Sequence, residues 1–396
     1  MRIAAFFTLL ISLAAGQALL QRAAAAQAGA GPQAPRFEVD PLWPKPLPNG
    51  WLLGSAIGVA VDGRDHVWII HRGAATMDKR TEMTAVGNPP TSKICCRPAP
   101  PILEFDAAGT LVGHWGGPGQ GYDWPQSNHG ITVDHMDNVW IGGNGEKDAH
   151  ILKFTRTGRF LLQMGKPGAN AGSHDTSNFG RVAKVFIDAG ANEAYVADGY
   201  LNKRVAVLDA GTGKLKRYWG AYGKKPDDAP LGNYDPAAPP PPQFRNPVHC
   251  AMLAQDGLLY VCDRANDRIQ VFRRDGSFVK EAFIEKETLG SGSVWDIAFS
   301  KDPQQAYIYL ADGVNERVHV LNRDTLEVLT SFGEGGRQPS QFFGVHSIAV
   351  DSKGNIYTTE TYEGKRLQKF AFRGIGPVTR KDQGVVWPRA LAGTPQ

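Results

Sequence analysis

One phrase recurs six times along this chain: a short alternating apolar run that leads into a turn rich in Gly, Asp or Asn. The copies fall at 57–62, 128–134, 183–188, 248–254, 295–300 and 345–351. A unit repeated on this scale cannot bury its apolar face alone, so neighbouring units must stack. The second, fourth and sixth copies begin with a histidine: His129, His249 and His346. If six units close into a ring, these alternate positions converge on the axis at threefold spacing. That is the shape of a metal site.

The pattern around each copy predicts four short strands, a to d, which is the signature of a β-propeller blade. The c strands share a phrase of their own, Asp198-Gly199-Tyr200-Leu201-Asn202-Lys203-Arg204, echoed at 263–269 and 312–318 and more weakly at 360–367. The d strands often end in an aromatic followed by Gly, at 115–116, 219–220 and 332–333. The a–b and c–d turns are short. The long segments, 73–101, 142–149, 165–182, 221–246 and 333–343, all join b to c or d to the next a. In an up-and-down blade those connections share one face, so the additional chain gathers where loops carry function. The three histidines open strand a at that same face.

The expected fold is therefore all-β, a six-bladed β-propeller over 37–376. A strand near Phe37–Val39 is expected to supply the outer strand of blade six and close the ring. Residues 385–387 are the alternative closing strand. The composition agrees, because 46 Gly and 27 Pro in 396 residues suit many strands and tight turns. The formal net charge is +4 with no Lys/Arg block, which gives nucleic-acid binding no support.

Residues 1–26 read as a cleavable signal peptide: Arg2, an apolar stretch from Ile3 to Ala15, then small residues at 23–26. The predicted destination is the periplasm or the exterior, with no membrane span in the mature chain. Residues 27–36 read as a flexible linker and 377–396 as a C-terminal tail. Export permits disulfides. Cys250 and Cys262 flank the turn at 255–257 symmetrically, which suits a cross-strand bond, whereas Cys95 and Cys96 could pair as neighbours or stay reduced.

Three neutral imidazoles with an open fourth position are a zinc arrangement. The other histidines, His66, His71, His114, His135, His150, His174 and His319, share no register and are expected at the surface or in packing. The b–c junctions should aim Arg72, Tyr200 and Arg264 at the same mouth. A guanidinium can hold a carboxylate bidentately, and a phenol beside a divalent cation can act as a base.

The repeats look like NHL repeats, and 50–372 resembles the catalytic domain of the peptidyl-α-hydroxyglycine α-amidating lyases. The matching phrases are Ile70-His71-Arg72-Gly73, Asn128-His129-Gly130 and Ala197-Asp198-Gly199-Tyr200 with Asn202 and Arg204. They continue with Val248-His249, Asp263-Arg264 with Asn266 and Arg268-Ile269-Gln270, and Val345-His346. The resemblance implies a central zinc on His129, His249 and His346, Tyr200 as catalytic base, and Arg72 and Arg264 on substrate oxyanions. It also implies a structural calcium (Ca2+), held in the family by an aspartate directly after the last histidine. That position is Ser347 here, and Asp296 in blade five is the residue that would substitute. The insertion 73–101 and the proline-rich segment 235–242 have no counterpart in the family pattern.

The expected activity is that of an exported zinc-dependent lyase. It would cleave a C–N bond of an α-hydroxyglycine-like small molecule or peptide carrying a carboxylate, to an amide and glyoxylate. The competing expectation is a non-catalytic NHL propeller that binds a protein or glycan partner on its loop-rich face.

Overall fold

Runs of alternating apolar residues broken by tight turns form short antiparallel strands, and here twenty-four of them make six four-stranded sheets. The computed structural model describes residues 31–388. Strand a of each blade is Ala56–Val61, Asn128–Val133, Val182–Asp188, Val248–Leu253, Asp296–Phe299 or Val345–Val350. Each pairs with its own strand b, then c, then d. Strands b and c are almost wholly buried, whereas the d strands alternate and face solvent on one side. Buried apolar side chains collect into six clusters, one between each pair of neighbouring blades.

The ring closes as expected: Gln33–Asp40 is the outer strand of blade six, antiparallel to Leu367–Pro377. The strand starts earlier than the linker boundary allowed. Ala34, Phe37 and Val39 are all buried, so Gln33–Arg36 belong to the sheet and not to a linker. Residues 27–30 and the signal segment 1–26 lie outside the described residues. The segment 385–387 is not a blade strand. Residues 381–386 run beside blade five instead, where Ser331 N–H donates to the Lys381 carbonyl at 2.8 Å and Gly333 N–H to that of Gly384 at 2.8 Å. The Val386 carbonyl accepts from Val39 N–H at 2.8 Å, so this segment fastens the closing strand from outside.

The c-strand phrase is a structural bracket. Asp198 at the end of strand b takes the Arg204 Nε–H at 2.7 Å and the Asn202 amide at 2.8 Å. Asp263 does the same with Arg268 at 2.9 Å and Asn266 at 2.8 Å. The remaining guanidinium N–H groups tie down the long d–a loops, Arg204 on the carbonyls of Ser173, Asp175 and Asn178, and Arg268 on those of Pro241 and Gln243. The Asp, Asn and final Arg of the repeat signature thus hold the loops over the mouth.

Cys250 and Cys262 are directly opposed on strands a and b of blade four and form a disulfide with a Cα–Cα distance of 4.8 Å. Cys95 and Cys96 are also disulfide-bonded, within the blade-one insertion. Substituting Arg268→Ala leaves the Asp263 carboxylate buried and uncompensated. Denaturant unfolding should show a loss of about 3–5 kcal/mol, and a loss below about 1 kcal/mol would show that the bracket is not structural.

Candidate metal centre

A bulge aims the three histidines. In blades two, four and six the pairing of strand a with strand b slips next to the first residue, leaving His129, His249 or His346 out of the ladder. A bulge turns a side chain out of the sheet's alternation, here toward the axis. Blades one and three carry the same slip at Ile57 and Ala183. Their freed carbonyls, with that of Trp295 in blade five, receive the imidazoles: His129 Nδ1 bonds Ala183 at 2.7 Å, His346 Nδ1 bonds Ile57 at 2.6 Å, and His249 Nδ1 bonds Trp295. A carbonyl only accepts, so each Nδ1 carries the proton and each Nε2 presents a lone pair to the axis.

The ligand nitrogens of His129, His249 and His346 lie within 4.8 Å of one another, and all three residues are buried. Tyr200 projects over them from the b–c junction of blade three. Its Oη is 2.9 Å from His129 Nε2 and 3.0 Å from His249 Nε2, and it accepts from Arg264 Nη1 at 3.2 Å. One phenol proton therefore faces more imidazole lone pairs than it can satisfy. Protonating the imidazoles is disfavoured: burial first, and then nearby positive charge, Arg264 at all three and Arg72 at His129 and His346, hold them well below the usual histidine range. An acceptor-rich, buried cluster of neutral imidazoles fits a metal cation.

The structure brings together all six residues expected at the site. Arg264 is 9% exposed and stacks 4.5 Å over the Trp295 ring. Its Nε–H has no acceptor. Arg72 donates to Asn144 Oδ1 at 2.8 Å and to the Asn128 carbonyl at 3.3 Å. Among the described residues neither guanidinium forms an ion pair, so both retain charge for an anion at the mouth. Burial pushes the Tyr200 phenol above its ordinary value, and the two guanidiniums pull against that. His71, the other histidine of the matched phrases, packs in blade one: Gly54 and Gly73 N–H donate to its Nδ1, and burial brings it down to about 4.

The residues do not fit calcium. Asp296, the candidate ligand, holds the Lys184 ammonium at 2.7 and 2.8 Å. The Ser347 hydroxyl donates to its Oδ2 at 2.7 Å, and the Ile297 and Ile348 N–H groups fill the remaining directions at 3.0 and 3.2 Å. Calcium needs six or more oxygen ligands, and here a lysine supplies the positive charge. Lys184 follows Ala183 and Asp296 follows Trp295, so this pair links two of the carbonyls that orient the histidines. Sequence reasoning missed it because the partners lie 112 positions apart.

No family model matches the chain. Curated relatives do. The Drosophila melanogaster peptidyl-α-hydroxyglycine α-amidating lyase 1 is 27% identical over 359 residues, 84% of this chain and 59% of that protein. The mouse NHL repeat-containing protein 3 is 25% identical over 282 residues, 69% of this chain and 63% of the relative. The chain is a six-bladed β-propeller similar to NHL repeat proteins and to the amidating lyases. The match to the mouse peptidyl-glycine α-amidating monooxygenase is 27% identical over 269 residues, spanning 64% of this chain but only 24% of that longer protein. Among solved structures, a streptogramin B lyase aligns with 86% of this chain and 98% of its own at 12% identity and a TM-score of 0.47, too loose to bear on function.

Two outcomes check this centre. Lys184→Met should lower unfolding stability by about 3–5 kcal/mol, because Asp296 is left buried without its cation. Calcium or a calcium chelator should leave the thermal midpoint of the native protein in place, and a calcium-dependent midpoint would restore the calcium site.

Proposed function

We propose that this protein is an exported zinc-dependent lyase that cleaves α-hydroxyglycine-like compounds, R–CO–NH–CH(OH)–COO⁻, to the amide and glyoxylate. The observation that carries the proposal is the placement of Tyr200 Oη, shared between two imidazole Nε2 atoms and a guanidinium with no ion-pair partner. The similarity to proteins named as amidating lyases supports the reaction class. The imidazole set favours zinc over magnesium or calcium. When bound, zinc supplies Lewis-acid polarisation of the substrate hydroxyl.

The remaining work falls to side chains. Arg72 and Arg264 hold the carboxylate, which otherwise would find no counter-charge in the mouth. As phenolate, Tyr200 takes the hydroxyl proton at Oη. The electrons of the O–H bond form the aldehyde carbonyl while the C–N bond breaks. The proton passes to the leaving nitrogen and the amide departs, so atoms and charge balance. Arg264 donates to Oη throughout and stabilises the phenolate. The burial of the site keeps bulk water away from the reacting bond.

The predicted N-terminal signal places the enzyme in the periplasm or outside the cell. Among the described residues no helix is long and apolar enough to cross a membrane. The competing reading is a non-catalytic propeller that binds a partner on its loop-rich face.

Glyoxylate release from a simple N-acyl-α-hydroxyglycine by the zinc-loaded protein tests the proposal. Tyr200→Phe should lower kcat by about 10²- to 10⁴-fold with zinc retained, and His249→Ala should lose the metal. Turnover unchanged in Tyr200→Phe, or none by the zinc-loaded wild type, would count against the lyase and favour the binding propeller.

A further inference from the structure

The b–c junctions divide the mouth into two sectors. Blades one to four present Arg72, Asn144, Tyr200 and Arg264, all polar. Blade five presents Gly313, and an added Cβ there would meet the Trp295 ring at 2.8 Å. Blade six presents Tyr362, which reasoning from the repeats passed over because its blade carries the weakest copy of the c-strand phrase. The Tyr362 ring meets Trp295 edge-on at 6.4 Å, and Trp295 in turn lies 5.4 Å from the His346 ring.

Tyr362 is 56% exposed, a large aromatic left uncovered at the entrance. Its phenol lies within electrostatic reach of both Arg72 and Tyr200. Its backbone has φ +48°, a left-handed conformation that a bulky residue adopts only at a cost. The surroundings hold that conformation: Ser55 Oγ donates to the Tyr362 carbonyl at 2.9 Å, and Gly344 leaves room beside the ring, where a Cβ would come within 3.3 Å. The ring is thus fixed at the rim without being buried.

We propose that Tyr362, backed by Trp295, is the specificity wall of the mouth and takes an apolar or aromatic acyl group. This rests on the lyase reading for the orientation of the substrate. With the carboxylate held by Arg72 and Arg264, the acyl end R must leave the polar sector. The aromatic sector offers a ring face, and the charges that follow Tyr362 in blade six, Glu363 and Lys365, are paired with each other at 3.3 Å. A cationic R is disfavoured because both guanidiniums repel it, and the carboxylate next to the wall, Glu363, is already paired with Lys365. Tyr362 acts on recognition and touches none of the reacting bonds, so it is a specificity residue and not a catalytic one.

Two readouts on the full zinc-loaded chain separate the wall from the reaction. Calorimetry with unreactive N-benzoylglycine, N-acetylglycine and N-lysylglycine measures the wall alone. The benzoyl compound should bind about tenfold tighter than the acetyl one, with the lysyl compound weakest. Tyr362→Ala should erase the benzoyl advantage and Tyr362→Phe should keep it. In turnover of the corresponding α-hydroxy compounds, Tyr362→Ala should raise KM for the benzoyl substrate while kcat stays within about twofold. Equal affinities in the wild type, no binding of any of the three, or a benzoyl-to-acetyl ratio unchanged in Tyr362→Ala would overturn the wall. Selective binding without glyoxylate release would sink the lyase reading and leave the wall standing.

Discussion

Each imidazole on the axis gives its Nδ1 proton to a carbonyl of the next blade, and the geometry of the mouth depends on that exchange. The carbonyls of Ile57 and Ala183 are available because a bulge frees them from the ladder. The same irregularity, one blade away, frees His129, His249 and His346. One backbone defect thus serves two purposes: in even blades it delivers a ligand, and in blades one and three it delivers the group that orients a ligand. The hydrogen bond sets the tautomer, so three lone pairs point inward with no proton of their own. Burial and neighbouring guanidiniums then prevent protonation from filling the gap.

Several buried carboxylates elsewhere are met by the protein's own cations. Asp62, His66 and Glu104 form a second cluster of possible metal ligands, but Arg156 reaches it, with Nη1 2.7 Å from Asp62 and Nη2 against Glu104. Asp296 has Lys184, Asp198 has Arg204 and Asp263 has Arg268. Against that background the histidine ring stands apart. It is a buried, acceptor-rich cluster with no internal cation, and among the described residues the two nearest guanidiniums have no carboxylate partner.

Much of this was legible in the chain. The period of the apolar phrase implied the blades, the lengths of the connections implied the loop-bearing face, and the alternate histidines implied a shared axis. Phe37 and Val39 marked the closing strand, although its start at Gln33 was hidden in a Gly/Ala/Pro-rich stretch that reads as linker. The bulges were not legible, because one unpaired residue leaves no trace in apolar alternation. Lys184 and Asp296 looked like ordinary strand residues until the ring set them face to face. Tyr362 was missed for a related reason: its importance comes from Trp295 and Arg72, two blades that meet it only after closure. Local pattern reports the unit, and closure creates the site.

The most direct test of the account is an anomalous-difference map from crystals of the protein loaded with zinc, collected at the zinc edge. A zinc centre on the axis gives one strong peak about 2.0–2.1 Å from the Nε2 atoms of His129, His249 and His346, below the Tyr200 hydroxyl. No peak on the axis, or a peak at Asp62, His66 and Glu104 instead, would contradict it.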